Sequence, residues 1–380
     1  YKPSLYKEKA SKLIMVLSDW IEKENIKLTE SQSKELSPEK LIQSISNLLL
    51  SISFLICKIP NISHEEVTEL TKMCFKFLIY DANMDYYNEL NQDNEFNEDE
   101  VLDDSDLDDI DDLDEGIGES DSWKIRKNSI YLAKVLVKYY PDQFYDILIF
   151  QDENINNFLS VDILIHDSDL GVQKDAIQFL EVLIDNYKET LGQDNMEYLI
   201  GSIISQFKPE KSEIFNVALN TLSSIITKID QIHSNLIIQA LQHLTPIVKD
   251  AFIPSLLNFI QVVMSVFNDS ELIEPIGLLL VRLFNYQKIK SKIPLLNVLA
   301  NLFKYSNGIM KDVIEELLEI IIHMTKEDGE KAIKSIYLLS IFIASFPDSP
   351  LLEKSINVII ECLNMSIKTS IDSLALIAAS

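Results

Sequence analysis

A repeated register of apolar and small residues limits the folds open to this sequence. Each copy has an apolar residue, a small residue four positions later, and apolar residues eight and eleven positions after the first. The three clearest copies are Ile125, Ser129, Ala133, Leu136; Val172, Ala176, Leu180, Leu183; and Ile214, Ala218, Leu222, Ile225. Later copies begin at Phe252, Leu295, Ala332 and Ile371, so the register spans 246 residues in six steps, a mean period of 41.

This period matches the first helix of a HEAT repeat. Two helices of about four turns and their links need roughly 40 residues, and the small residue lets a neighbouring helix approach closely. Such helix pairs bury both apolar faces only by stacking, which leaves one concave and one convex surface. The sequence therefore predicts an all-α HEAT-repeat superhelical solenoid, with right-handed stacking of antiparallel helix pairs. An irregular helical domain of the same composition is the alternative.

Helix-start signals support this interpretation. Pro38 follows a serine and precedes a glutamate, as at the first position of a helix, and Ser63 begins a second capped start. Apolar residues then recur at helical spacing, for example Val67, Leu70 and Cys74. Glycine (8) and proline (11) are too sparse for the many turns of a β-sandwich or barrel.

The cysteines and the long apolar runs both favour buried helices. Cys57, Cys74 and Cys362 are odd in number and far apart, which predicts reduced residues in a cytoplasmic or nuclear protein. The uncharged runs 41–57 and 251–267 are short for a clean membrane span and resemble many neighbouring segments. We therefore expect no membrane partner.

An acidic stretch interrupts the register. Between Asp93 and Asp121 there are 16 Asp or Glu and no Lys or Arg, in a chain whose net charge is −27. Self-repulsion and the lack of a buriable face predict HEAT repeats over 1–85, an acidic disordered insert over 86–122, and HEAT repeats over 123–380. A field of this sign repels nucleic acid and attracts basic protein surfaces.

Catalytic and metal-binding patterns are missing. The five histidines, at positions 64, 166, 233, 243 and 323, have no metal-ligand spacing. Gly116 and Gly118 are followed by acids, unlike a phosphate-binding loop, and Leu113 occupies a required ligand position of any calcium loop counted from them. Carboxylates in a disordered segment lack the desolvated cleft that general acid–base catalysis needs. We expect no enzyme activity, cofactor or metal.

Two stretches flanking the acids resemble one known family. They are Cys74-Phe75-Lys76-Phe77-Leu78-Ile79-Tyr80-Asp81-Ala82-Asn83 and Asp121-Ser122-Trp123-Lys124-Ile125-Arg126-Lys127. Their order and spacing are similar to the cullin-associated, neddylation-dissociated (Cand) exchange factors. Members of that family carry a helix ending in Tyr-Asp-x-Asn, a long acidic insert, and a Ser-Trp-Lys-Val-Arg helix start. The resemblance covers about a third of the chain and implies an interior piece of a longer HEAT protein.

The resemblance implies a scaffold that wraps a cullin with its RING subunit and exchanges substrate adaptors on cullin-RING (SCF-type) ubiquitin ligases. We also expect the chain to be monomeric by itself. An importin-β-like nuclear transport receptor is the alternative, because those HEAT proteins also carry an acidic loop before a tryptophan-led helix. There the tryptophan is typically followed by a polar residue and a run of small residues, unlike the stretch 124–127.

Six residues are candidates for partner binding. They are Trp123, Lys124, Arg126, Leu107, Ile110 and Leu113. The last three recur every third position among aspartates, as on a docking helix for a basic groove; a solvated acidic loop is the alternative. For Trp123 the favoured role is filling the gap between adjacent repeats. For Arg126 it is a bridge to aspartates of a neighbouring turn.

Overall fold

A computed structural model describes residues 3–29, 38–58, 62–80, 121–148, 163–229, 234–247, 249–286, 292–327 and 329–379. Within these ranges every regular element is an α-helix or a short 3₁₀ turn, and no strand occurs. The all-α prediction is confirmed. The described chain divides into two compact units, unit 1 at Tyr1–Gly192 and unit 2 at Gln193–Ser380.

Unit 1 is built from helices in two rows. Its helices are α1 (Pro3–Thr29), α2 (Pro38–Lys58), α3 (His64–Leu78), α4 (Trp123–Tyr139), α5 (Pro141–Leu148) and α6 (Leu170–Tyr187). Each helix packs on the helix two places further along the chain, so α2, α4 and α6 form one row and α1, α3 and α5 form the other. This connectivity is what stacked helix pairs produce.

The expected helix starts occur in unit 1. Helix α2 begins at Pro38, with Glu39 in its first turn. Helix α3 begins after Ser63, whose hydroxyl accepts a hydrogen bond from the Glu66 amide while the Glu66 carboxylate accepts one from the Ser63 amide. This reciprocal capping satisfies backbone donors that the first helical turn leaves open.

Helix α2 also shows why its apolar run is not diagnostic of a membrane span. The segment Glu39–Lys58 has a mean hydropathy of 1.6 and is long and apolar enough to cross a bilayer. Half of it is nevertheless buried inside unit 1, where α2 packs on α1 and α4. Ile45, Leu49 and Ile52 are fully buried there. This packing is that of a core helix.

Unit 2 repeats the two-row arrangement. Its helices are α7 (Gln193–Ile204), α8 (Ser212–Ile226), α9 (Ser234–Leu244), α10 (Ile253–Val266), α11 (Ile273–Asn285), α12 (Ile293–Tyr305), α13 (Asp312–Met324), α14 (Glu330–Ser345) and α15 (Leu352–Ala379). Helices α8, α10, α12 and α14 pack in succession, as do α7, α9, α11 and α13. Both units thus have a helical-repeat-like architecture.

The predicted register marks core positions through most of the chain. All four residues of the copies beginning at Ile125, Val172 and Ile214 are buried, and Phe252 and Leu295 are buried as well. The copy predicted at Ala332 is wrong by one residue, because Ala332 is half-buried while Ser335, Leu339 and Phe342 face the core. The position predicted at Ile371 lies inside the uninterrupted helix α15.

Tyrosines join the two rows at recurrent places. The Tyr140 hydroxyl accepts a hydrogen bond from the Ile62 amide (3.0 Å), and the Tyr187 hydroxyl donates to the Pro141 carbonyl (2.8 Å). In unit 2 the Tyr305 hydroxyl accepts from the Asp269 amide (3.1 Å) and donates to its carbonyl (2.9 Å). Each tyrosine closes a helix and reaches the backbone at the start of the preceding one, so adjacent helices in these pairs are antiparallel.

Candidate protein-binding surface at the start of helix α4

The start of α4 is fixed from inside the fold rather than by a capping side chain. Ser122 precedes the helix and makes no side-chain cap bond to the backbone. Its hydroxyl instead accepts a hydrogen bond from Arg126, one turn further on (3.0 Å). The position of this helix start therefore depends on the arginine.

Arg126 connects three segments of unit 1. Its Nε and Nη2 atoms donate to the two carboxylate oxygens of Asp167 at 2.6 and 3.0 Å, and its Nη1 donates to the Tyr80 carbonyl at 3.0 Å. The arginine is only 8 % exposed. Bidentate geometry and burial make this a strong charge-assisted contact. The predicted bridge from Arg126 to an aspartate of a neighbouring turn is confirmed.

Asp167 in turn organises the start of α6. Its carboxylate accepts from the Asp169 amide (2.9 Å), and its carbonyl accepts from the Gln173 side chain. Asp169 then caps α6 by accepting from the Val172 amide at 2.8 Å. The arginine thereby links the starts of α4 and α6.

The same guanidinium nitrogen contacts both ends of the acidic segment. Tyr80 is the last described residue before 81–120, and Ser122 follows it. Tyr80 and Ser122 therefore lie close together in unit 1. The acidic insert predicted over 86–122 lies almost entirely outside the described residues, so it stays a prediction. Leu107, Ile110 and Leu113 lie there as well, and their predicted role stays a prediction.

Trp123 and Lys124 lie at the surface edge of this junction. Trp123 is half-buried, with the ammonium groups of Lys124 and Lys127 at 5.6 and 6.0 Å from its ring centroid. Lys124 also pairs with Asp121 at 2.6 Å. Both residues have surface that a partner can contact, whereas Arg126 is occupied inside the fold.

Two exposed aromatic residues that were not predicted from the sequence lie further along α2 and α4. Phe54 on α2 and Tyr131 on α4 are 54 % and 39 % exposed, with ring centroids 6.4 Å apart. Tyr131 lies at helical spacing from the lysines of α4, which was a usable signal. Nothing in the sequence pairs Phe54 with it, because the contact depends on how α2 stacks on α4.

The buried Cys74 thiol serves the fold. Burial raises the pKa of the Cys74 thiol far above its ordinary value, and the thiol donates to the Ser129 carbonyl (3.2 Å). This thiol is therefore a poor nucleophile. Cys57 and Cys362 are half-buried, and none of the three cysteines forms a disulfide bond. Within the described ranges no three His, Cys, Asp or Glu side chains converge as metal ligands would.

A cleft of about 730 Å³ in unit 2 lies between the ends of α12 and α14. Lys304 and Asp348 are the charged residues in its lining, which also includes Gly308 and Phe346. These groups show no nucleophile–base or metal-ligand geometry. The exposed face of α4 is therefore the stronger candidate for a functional surface.

Comparison with known proteins gives no family for this chain. No family model matches the sequence, and no curated protein matches it.

Proposed function

We propose that this chain is a non-enzymatic scaffold of HEAT-type helix pairs that binds a cullin with its RING subunit. In this role it regulates the exchange of substrate adaptors on cullin-RING ubiquitin ligases. The two-row stacking in each unit supports a scaffold, because such rows present long helical surfaces to a partner.

The contact of Arg126 with both sides of the acidic segment carries the proposal. Tyr80 belongs to the first stretch that resembles the Cand family, and Ser122 and Arg126 belong to the second. The two stretches therefore form one structural unit, which supports treating them as one motif. The cullin is assigned through the resemblance alone.

Charge gives the proposed scaffold a means of attracting its partner. A net charge of −27 attracts basic protein surfaces over distances comparable to the Debye length, about 8 Å at physiological salt. Such attraction raises the association rate more than the affinity. Deleting Asp93–Asp121 should therefore slow association and flatten its salt dependence while leaving the helical content unchanged.

Binding measurements with an unmodified cullin–RING pair and with a GTP-loaded Ran-type GTPase test the proposal. We expect the cullin–RING pair to bind and the GTPase not to bind. Loss of cullin–RING binding at every salt concentration on deletion of Asp93–Asp121 would make the acidic segment a contact site. Leu107, Ile110 and Leu113 would then be its first candidates. Failure of the intact chain to bind the cullin–RING pair overturns the proposal.

An importin-β-like transport receptor is the second candidate. The observation that favours it is the acidic stretch followed directly by the tryptophan-led helix α4. Binding of the GTPase without the cullin–RING pair would establish this alternative.

A further inference from the structure

Helix α4 carries a concentration of positive charge that is unusual in so acidic a chain. Residues 123–139 contain five Lys or Arg and no Asp or Glu. One of the five, Arg126, is buried in the contact with Asp167. The other cations and one tyrosine recur every three or four residues, which places them along one face of the helix. They are Lys124, Lys127, Tyr131, Lys134 and Lys138.

Phe54 of α2 adds an exposed apolar side chain beside this face of α4. Asn128 of α4 donates to the carbonyl and to the hydroxyl oxygen of Ser46 on α2, at 3.0 and 2.7 Å. This contact holds the two helices together one turn before Tyr131, which packs beside the exposed Phe54. The α2–α4 surface, defined as Phe54, Tyr131 and the four lysines, therefore has an aromatic centre between cations.

Nearby carboxylates only partly balance the lysines. Asp121 pairs with Lys124 at 2.6 Å, and Asp175 of α6 lies 3.8 Å from Lys127. Burial lowers the pKa of Lys134, and this effect outweighs the attraction of Asp175 and Glu181. Lys138, at the far end of the surface, is exposed.

The exposed face of α2 is polar and uncharged from Gln43 to Ser51, and Lys58 adds a cation one turn beyond Phe54. Gln43, Asn47 and Ser51 are exposed there. A segment lying across the surface would meet hydrogen-bonding groups on α2 and cations on α4. Exposed aromatic residues flanked by charge are typical anchors of protein interfaces.

We propose that the α2–α4 surface binds an acidic peptide segment of a partner protein, whose central aromatic side chain contacts Phe54 and Tyr131. The carboxylates of the segment pair with Lys127, Lys134 and Lys138. This goes beyond the proposed cullin–RING binding, because it concerns a surface opposite in charge to the chain as a whole. A nucleic acid is disfavoured, since its charge density meets stronger repulsion from a chain of charge −27.

Fluorescence anisotropy with a short labelled peptide of Asp and Glu around a central Phe tests the proposal. We expect it to bind the intact chain, and to bind more weakly when its Phe is replaced by Ser. Lys138→Glu should weaken binding by roughly three- to tenfold, because a favourable exposed pair becomes a repulsive one. Tyr131→Ser should weaken it roughly two- to tenfold by removing an aromatic contact.

Lys72→Glu is the matched control. Lys72 is an exposed lysine of α3, in the other row of unit 1, so this variant makes the same change in net charge. We expect it to leave peptide affinity unchanged. Equal weakening by Lys72→Glu and Lys138→Glu would mean that only net charge matters and would overturn the proposal. Failure of the intact chain to bind the peptide would also overturn it.

Two further experiments distinguish a partner's acidic peptide from other molecules or segments that could occupy the α2–α4 surface. If the peptide binds only after deletion of Asp93–Asp121, this chain's own acidic residues occupy the surface and a partner segment does not. If single-stranded DNA binds more tightly than the peptide and is equally sensitive to Lys138→Glu, the surface is a nucleic-acid site and the proposal is overturned. Measuring cullin–RING binding by Lys138→Glu in parallel keeps the two proposals distinguishable, because either can fail alone.

Discussion

One contact between successive helices of a row in unit 1 differs in kind from its counterpart in unit 2. In unit 1 the contact from α4 to α6 includes the buried Arg126–Asp167 pair. In unit 2 the contact from α8 to α10 includes the stacked rings of Phe215 and Phe252, whose centroids are 4.0 Å apart. Buried ion pairs are directional and costly to break, whereas apolar contacts tolerate small shifts. The buried ion pair of unit 1 therefore lies beside Tyr80 and Ser122, which flank the acidic segment in the sequence.

The largest expected effect comes from breaking the arginine contact. Arg126→Ala should lower the free energy of unfolding of unit 1 by about 3–5 kcal/mol, because Asp167 stays buried without its partner. Urea denaturation measures the loss, and hydrogen exchange assigns it to unit 1. Lys127→Ala is the control, since Lys127 and Asp175 are more exposed and such a pair contributes about 0–1 kcal/mol. Equal losses in the two variants would contradict the special role of Arg126.

A smaller effect is expected from overpacking unit 2. A side chain at Gly277 on α11 would place its Cβ 2.6 Å from the Cγ1 of Val313 on α13. Gly277→Ala should therefore cost about 1–3 kcal/mol. Gly201→Ala on α7 is the matched control, because nothing lies within 4 Å of its Cβ position. There alanine should stabilise the helix by about 0.5–1 kcal/mol. Thermal unfolding of both variants measures whether α11 and α13 are packed too closely at Gly277 to accept a methyl group.

The tyrosine contacts occur in both units and predict a shared sensitivity to alkali. Burial is the main cause that raises the pKa of Tyr140, Tyr187 and Tyr305. A pKa raised by folding means that the stabilisation is complete below the unfolded-state value, about 10, and is lost as the pH rises above it. Unfolding free energy measured from neutral pH to pH about 11 should therefore decrease at the alkaline end.

Replacing these tyrosines tests that explanation. Tyr305→Phe should cost roughly 1 kcal/mol at neutral pH, because it leaves the Asp269 backbone groups without the hydroxyl. It should also reduce the alkaline loss relative to the intact chain. An unchanged pH dependence in the variant would assign the loss to other groups.

The smallest expected effect concerns how the helices of unit 1 begin. Ser63→Ala should cost about 1 kcal/mol by removing the reciprocal cap of α3. Ser122→Ala removes no such cap but does remove the hydrogen bond from Arg126, so part of its effect should disappear in the Arg126→Ala background. A double-mutant cycle measured by urea denaturation tests this difference.

Much of the fold could be predicted from local sequence. The helices of both units and the buried register from Ile125 to Leu295 follow from the spacing of apolar residues. The helix start at Pro38 and the cap at Ser63 follow from local start signals, which also depend on nearby positions alone. The register failed at α14, because the copy that faces the core has Lys331 at its first position, where the pattern expects an apolar residue. Packing against α12 and α13 selects Ser335.

Some features of the candidate surface likewise follow from local sequence, and others depend on tertiary structure. Local sequence determined the helical class, the charge of −27, the position of the acidic stretch and the row of lysines on α4. Only tertiary structure decided that Arg126 holds Tyr80, Ser122 and Asp167 together and that Phe54 lies beside Tyr131. The reason is that helical periodicity is a short-range property of the chain. Contacts between residues 46 or 77 positions apart depend on how whole helices stack.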